Sequence, residues 1–361
     1  MELSTPMLAT VVVIASTFLL CGVVGWFNSP ATYPLKNRAV VITGGSSGIG
    51  EAVARECLAQ GASHVVLLAR RLEVLAAAAA KLQALAAASG AGQQVKYYSV
   101  DVTDAAATSA ALELAAKECG GCIHAVVCSA GTSSPREFVH QSAKEFEDVL
   151  RLNVLGTRNA IAAALPFMRE KAGGRIVLIS SQAGQVGLYG YTAYSVRWGL
   201  APVNSFTHCA PSSRRARPHA HIISPPAQAS KFALNGFAQS LSMELAPRRI
   251  LVSLSFPPDT NTPLLAEENK TKPEITRLIS AATTTVEPSE VARGIVAGMQ
   301  RFSPSISVGF DGWMLSTLTA GMGPAGSWTT ACVQVATMGL WRAVALFYVQ
   351  ECVGAAGAAC F

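Results

Sequence analysis

A short, almost wholly apolar and β-branched run, Arg38–Thr43 (RAVVIT), passes straight into Gly44-Gly-Ser-Ser-Gly48-Ile-Gly50 and then into a helical stretch, Glu51–Ala59. An apolar run closed off by glycines reads as a buried strand. The glycines permit a tight turn, and the backbone of Gly44, Ser46, Ser47, Gly48, Ile49 and Gly50 can then approach a pyrophosphate at the helix N-terminus. A glycine triplet alone is weak evidence. With a strand before it and a helix after it, the required context is met.

The same grammar continues downstream. Strands are predicted at His64–Leu68, Gln94–Val100, Ile123–Cys128, Arg175–Ile179 and Ile250–Phe256, with helices at Leu72–Ala88, Phe146–Leu165 and Phe232–Leu245. Alternation of this kind predicts an α/β fold, a Rossmann-type doubly wound parallel sheet, in a nucleotide-binding domain over 36–303. The second strand ends in Ala69-Arg70-Arg71. A site for NAD would place an acid here to accept from the ribose hydroxyls, whereas Arg70 can pair with a 2′-phosphate, which predicts NADPH.

Both ends of the chain are apolar. The mean hydropathy is +0.35, half the residues are hydrophobic and 14% are charged, which points to membrane contact. Met7–Phe27 carries no charge and, as a helix, reaches about 31 Å, enough for a hydrocarbon core. A cleaved signal peptide would want a basic start and a shorter core, but this chain opens with Glu2 and meets its first positive charges at Lys36 and Arg38. Residues 1–30 are therefore expected to form a transmembrane anchor, with the downstream domain on the cytoplasmic side. The region 304–361 holds two further apolar stretches, Ile306–Ala320 and Ala331–Val349, expected to form a hydrophobic hairpin touching the bilayer. The net charge of +6 owes four arginines to one stretch, Val196–Gln228, and no basic block interleaved with aromatics occurs elsewhere, so nucleic acid is not an expected partner. Nine cysteines include one Cys-x-x-Cys pair, Cys119 and Cys122, with no second pair to complete a metal site.

The spacing Thr43-Gly-x-x-x-Gly-x-Gly50 resembles the short-chain dehydrogenase/reductase superfamily. The resemblance implies that Asp101 and Val102, at the end of the third strand, contact the adenine. It also implies that Asn153, in Asn-Val-Leu-Gly156, supports a water linking a catalytic lysine to solvent. Cys128-Ser-Ala-Gly131 stands where the superfamily often has Asn-Asn-Ala-Gly, a departure in two side chains that keeps the small residues. Ser181 lies 13 residues before Tyr194, a separation resembling the catalytic serine and tyrosine, with Ser180 as a neighbouring alternative. The chemistry needs a hydroxyl to hold a substrate carbonyl and an acid to protonate the developing alkoxide. A phenol with a pKa near 10 is a poor acid to regenerate, and a lysine one helical turn away favours the phenolate. Lys231, in Ala229-Ser-Lys231, is the expected lysine. Ser181, Tyr194, Lys231 and Asn153 are thus the expected catalytic set, and Tyr194 and Lys231 also contact the cofactor.

Pro257-Pro-Asp-Thr260-Asn-Thr-Pro263 occupies the place of the superfamily loop over the nicotinamide carboxamide, which assigns cofactor contacts to Pro257 and Thr260. Together with Ser-Ser-Gln-Ala-Gly-Gln at 180–185 and Gly-Tyr-Thr-Ala-Tyr-Ser at 190–195, it looks specifically like the 3-ketodihydrosphingosine reductase family. That resemblance implies NADPH-dependent reduction of 3-dehydrosphinganine at the endoplasmic reticulum, with the active site facing the cytosol. The substrate is then a long-chain keto sphingoid base presented from the lipid bilayer, under a lid formed by Leu264–Thr285, and a homo-oligomer is compatible with it. The rival readings are a membrane reductase of steroid, retinoid or acyl ketones, and a catalytically impaired nucleotide-binding scaffold.

The second rival arises because the Tyr-x-x-x-Lys pair is split. Between Ser195 and Ala229 lie 33 residues with five prolines, three histidines and no acid, lacking strand alternation and helical stripe alike. Removing Val196–Gln228 makes the chain read Tyr194-Ser-Ala-Ser-Lys231. A disordered loop and a translated intron both account for the segment. Valine codons begin with GT and a glutamine codon can be CAG, the usual intron boundary letters, and excision restores the motif without loss, which favours the intron.

Overall fold

The computed structural model describes residues 32–168, 173–187, 192–195, 227–281, 284–320, 325–339 and 341–342, with backbone alone for 192–195 and 227–228. The expected anchor, Met7–Phe27, and residues 196–226 lie outside the described residues. Among the described residues no helix is long and apolar enough to cross a membrane.

The strands are β1 (Ala39–Thr43), β2 (His64–Ala69), β3 (Gln94–Ser99), β4 (Ala125–Cys128), β5 (Gly174–Ile179), β6 (Thr192–Ser195), β7 (Ala227–Gln228), β8 (Ile250–Phe256) and β9 (Ser305–Ser307). Seven of them form one sheet in the order β3-β2-β1-β4-β5-β8-β9, every pair parallel. All five residues of β1 and all four of β4 are buried, as expected for central strands covered on both faces. Side chains alternate between two cores. Val40 and Ile42 pack with Val53, Ala54 and Cys57 of α1 (Gly48–Ala59). Val41 faces the opposite way, with Val66, Leu68, Val126 and the small residues Ala111 and Ala115 of α3 (Ala105–Glu118). Between α1 and α3, α2 (Leu72–Ala88) has the bounds expected for it.

The long helix expected over Phe146–Leu165 is built in three parts. It starts earlier, as α4 (Ala143–Leu150), because Ser142 and Glu145 form a capping box. A π-helical turn follows at Arg151–Gly156, and α5 (Thr157–Ala164) completes it. The helix expected at Phe232–Leu245, α6 (Ala229–Leu245), begins three residues before Phe232.

Beyond β8 come α7 (Pro263–Thr271), α8 (Glu274–Ala281), α9 (Pro288–Arg301) and α10 (Gly309–Leu318), and a further helix covers 328–339. The sheet takes its seventh strand from β9, just past the boundary at 303. Within the stretch Ile306–Ala320, Ile306 is a core residue of β9, and Val308 is the N-cap between that strand and α10. Of the second stretch, residues after 342 lie outside the described ones. Phe310, Trp313 and Trp341 stack with ring centroids 5.7–5.9 Å apart, and Phe310, Trp328 and Val335 stand exposed nearby in sequence.

The chain entering β1 is itself pinned. The Tyr33 ring lies between the guanidinium groups of Arg38 (3.6 Å) and Arg175 (4.2 Å), and its hydroxyl donates to the His124 carbonyl at 3.0 Å.

Candidate active site

The strand order reverses between β1 and β4, so the loops after these two strands diverge and leave a crevice at their carboxyl ends. A cleft of about 290 Å3 lies there. Its wall is the glycine-rich turn. Gly44 takes φ +68°, and a side chain on it would meet the backbone of Ser129 and Ala130 at 2.8 Å. Gly50 closes the turn from the other side, where a Cβ would stand 2.3 Å from the Gly44 carbonyl oxygen. The turn can therefore exist only with glycine at these places.

Ser47 is the N-cap of α1 but makes no side-chain bond to it, which leaves first-turn N–H groups without the usual capping oxygen. Those donors open on the cleft beside Ser46, Ser47, Gly48 and Ile49. A missing cap and a cradle that a Cβ would fill fit the pyrophosphate of a nicotinamide dinucleotide. Arg70 lines the same cleft from the end of β2, with its guanidinium 3.9 Å from the Asp101 carboxylate in a largely exposed pair. Val102 lines the cleft, and the Asp101 carboxylate also accepts from the Thr103 N–H at 2.9 Å. Pro257 and Thr260 close the far side, and Thr260 is buried with its hydroxyl donating to the Pro258 carbonyl.

At the other end of the cleft both candidate serines contribute to the lining. Ser180 is buried and its hydroxyl donates to the Lys231 carbonyl at 3.1 Å. Ser181 is half-buried and lines the cleft, its Oγ accepting from the Ala183 N–H at 3.2 Å. Lys231 reaches the cleft from the first turn of α6, with Nζ donating to the Ile179 carbonyl at 2.7 Å. Burial pushes its pKa down to about 8, and the Glu268 carboxylate opposes that fall. A Cβ on Gly131 would crowd the Asn153 amide oxygen at 3.1 Å, while Nζ at 3.6 Å would be an ordinary contact.

Asn153 sits on the π-helical turn, a distortion common at functional sites. It is 1% exposed and its side chain is a clamp. Oδ1 accepts from the Thr132 N–H at 2.8 Å, while Nδ2 donates to the Thr132 carbonyl and to the Ser230 hydroxyl, both at 2.9 Å. It thus joins the loop after β4 to the residue preceding Lys231, a role that its place in mid-helix signalled only as an unexplained polar residue.

With residues 196–228 between them, Tyr194 and Lys231 do not share a helical turn. Thr192–Ser195 is strand, paired in parallel with Ala227–Gln228, and Ser195 stands opposite Gln228, one residue before α6 begins. The inserted segment leaves Lys231 in the first turn of α6 and moves the tyrosine backbone onto a separate ladder, whose β6 strand lies against α6. The side chain of Tyr194 lies outside the described residues.

Sequence reasoning missed Ser133 and Glu268, which also line the cleft and are hydrogen-bonded to each other across it. Glu268 carries no motif. Its signal is positional only, one turn along the expected lid from Leu264 and Leu265.

The family model for short chain dehydrogenases matches residues 38–208, ending inside the anomalous segment. The 3-ketodihydrosphingosine reductase of Mus musculus is 39% identical over 320 residues, which cover 89% of this chain and 86% of that protein. The 3-dehydrosphinganine reductase of Danio rerio is 38% identical over 320 residues, with the same coverage. Among solved structures, a short-chain type dehydrogenase/reductase from Mycobacterium ulcerans superposes with a TM-score of 0.58 over 74% of this chain and 84% of that one, at 24% identity, and so speaks to the fold alone. With the glycine-rich turn, the switch-point cleft and relatives of this identity over most of its length, the chain belongs to the 3-ketodihydrosphingosine reductase family of short-chain dehydrogenases.

Proposed function

We propose that the protein reduces 3-dehydrosphinganine to sphinganine with NADPH. The observation that carries this reading is the juxtaposition of Ser181 and Lys231 in one cleft with the uncapped start of α1, in a chain 39% identical to a reductase of that name. The bound cofactor supplies the hydride. Ser181 holds the ketone oxygen through its hydroxyl. Tyr194 then gives its phenolic proton to the developing alkoxide, and the Lys231 ammonium favours the resulting phenolate. A lysine whose pKa lies near 8 is still mostly charged at neutral pH.

The choice of NADPH over NADH rests on Arg70. Its ion pair with Asp101 is long and exposed, worth little, and readily exchanged for a charge-assisted bond to a 2′-phosphate. Presentation of the substrate from the bilayer, with the domain on the cytosolic side of the endoplasmic reticulum, is supported by the charge-free run Met7–Phe27 and by the exposed aromatic residues near the C-terminus. The test is a reductase assay of the purified protein with NADPH and NADH against 3-dehydrosphinganine, retinal and a steroid ketone. Selective turnover of the first with NADPH is expected. Preference for either of the others overturns the substrate assignment.

A further inference from the structure

3-Dehydrosphinganine carries an ammonium on the carbon beside its ketone, and any role for an anion facing that carbon rests on the reductase reading above. An ammonium brought to Ser181 arrives close to the Lys231 amine, and two cations in a partly buried cleft repel. Something anionic must face that carbon for an amino ketone to bind better than a plain one.

Two carboxylates line the cleft, Asp259 and Glu268. Asp259 is engaged by Lys272, whose side chain is 2% exposed and whose amine lies 3.3 Å from the carboxylate, and that pair anchors the base of α7 and α8. Glu268 is differently placed. It projects from α7 on the face that also turns Leu264 and Leu265 to the cleft, four and three residues before it, as helical geometry requires. It is half-buried, accepts a hydrogen bond from the Ser133 hydroxyl on the opposite wall, and its charge is felt by Lys231. A carboxylate on the inner face of a lid is unfavourable to desolvate, and cations facing it offset that cost.

We propose that Glu268 is the counter-ion for the ammonium of the substrate, held by the Ser133 hydroxyl until the substrate enters, and that it makes the site select 2-amino ketones over simple long-chain ketones. The two leucines then cover the start of the alkyl chain while the carboxylate meets the amine, and the negative charge offsets both cations at the reacting end.

The test compares the full-length chain with Glu268→Gln and Glu268→Asp in detergent micelles. Binding of sphinganine and of octadecane-1,3-diol, which lacks the amine, is measured by titration calorimetry. In the same preparations the ratio of kcat/KM for 3-dehydrosphinganine to that for 1-hydroxyoctadecan-3-one is determined. Glu268→Gln should lower the binding preference for sphinganine by about tenfold or more, the scale of a lost charge-assisted bond, and lower the kinetic ratio in step, while Glu268→Asp keeps part of both. Wild-type preference in Glu268→Gln, with unchanged far-ultraviolet circular dichroism, overturns the assignment. A chain that prefers sphinganine through Glu268 yet reduces no 3-dehydrosphinganine even with residues 196–228 deleted refutes the proposed reaction and leaves the ammonium site standing. A chain that reduces it with a preference indifferent to Glu268→Gln does the reverse.

Discussion

Deleting residues 196–228 should turn a weak enzyme into a competent one. In the shortened chain Tyr194 precedes Lys231 by four residues, about 6 Å along a helix axis and on the same face. The existing geometry favours the repair. Ser195 already stands opposite Gln228 in the β6–β7 ladder, where paired strands lie about 4.8 Å apart, and Ala229 is one Cα step of about 3.8 Å further on. Closing the gap thus asks for a shift of a few ångströms and conversion of Thr192–Ser195 from strand to a first turn of α6. Releasing the closure of a 33-residue loop contributes about 3 kcal/mol of chain entropy, so the deletion should not weaken the fold. Catalysis is the more sensitive quantity. Misplacing a reacting group by about 1 Å costs about a hundredfold, and losing a general acid costs about 10²–10⁴. Consumption of NADPH with 3-dehydrosphinganine, followed by absorbance for both purified forms, should show kcat at least about a hundredfold higher for the deletion. Far-ultraviolet circular dichroism should show added helix. Equal kcat in two forms that unfold cooperatively would refute the reasoning, since Tyr194 would then reach its position without the helical turn.

Two further substitutions probe the remaining groups. Lys231→Met should cost at least about a hundredfold in kcat and should also change how stability responds to pH. The unfolded lysine titrates near 10.5 and the buried one near 8, so between these values the unfolded state binds more protons and the wild type gains stability as pH rises, up to about 3 kcal/mol. The variant lacks that gain, and urea denaturation at pH 8 and pH 10 that shifts both proteins equally would contradict the buried-amine assignment. Arg70→Glu should raise KM for NADPH about tenfold or more while leaving KM for NADH little changed or lower. Equal loss with both cofactors would mean that Arg70 acts on the fold of the β2 loop and not on the 2′-phosphate.

The nucleotide half was legible from the sequence because central parallel strands are buried on both faces and write themselves as apolar runs. Ile250–Phe256 and Leu72–Ala88 fall within the bounds expected of them. α3 was not anticipated: its alanine-rich stretch has a weak stripe, and the cap that starts it is a single side chain, Asp104, accepting from the Ala107 N–H. β9 was hidden by its shortness and by the apolar stretch around it. At the site, the residue types were readable and their division of labour was not. The Ser180 hydroxyl finds the Lys231 carbonyl, and the Asp101 carboxylate accepts from the Thr103 N–H, both contacts made only after folding. The pairing of Glu268 with Ser133 joins residues 135 apart in sequence and leaves no local pattern.

What survives around the split helix determines where the defect falls. Lys231 is held by residues that lie outside the insertion. Its amine is held by the Ile179 carbonyl, its own carbonyl by Ser180, and the preceding residue, Ser230, by the Asn153 clamp. The glycine-rich turn, Arg70 and the Pro257–Thr260 loop are built on β1, β2 and β8, none of which pairs with the β6–β7 ladder at the neck of the insertion. Tyr194 lies on that ladder itself, so the insertion bears on it directly. The full chain and the 196–228 deletion should therefore bind NADPH with dissociation constants within about threefold of each other, while their turnover differs by about two orders of magnitude or more. Fluorescence titration of NADPH measures the first quantity. If the full chain binds NADPH about tenfold or more weakly, the insertion disturbs the cofactor cleft itself, and the confinement of its effect to proton delivery is refuted.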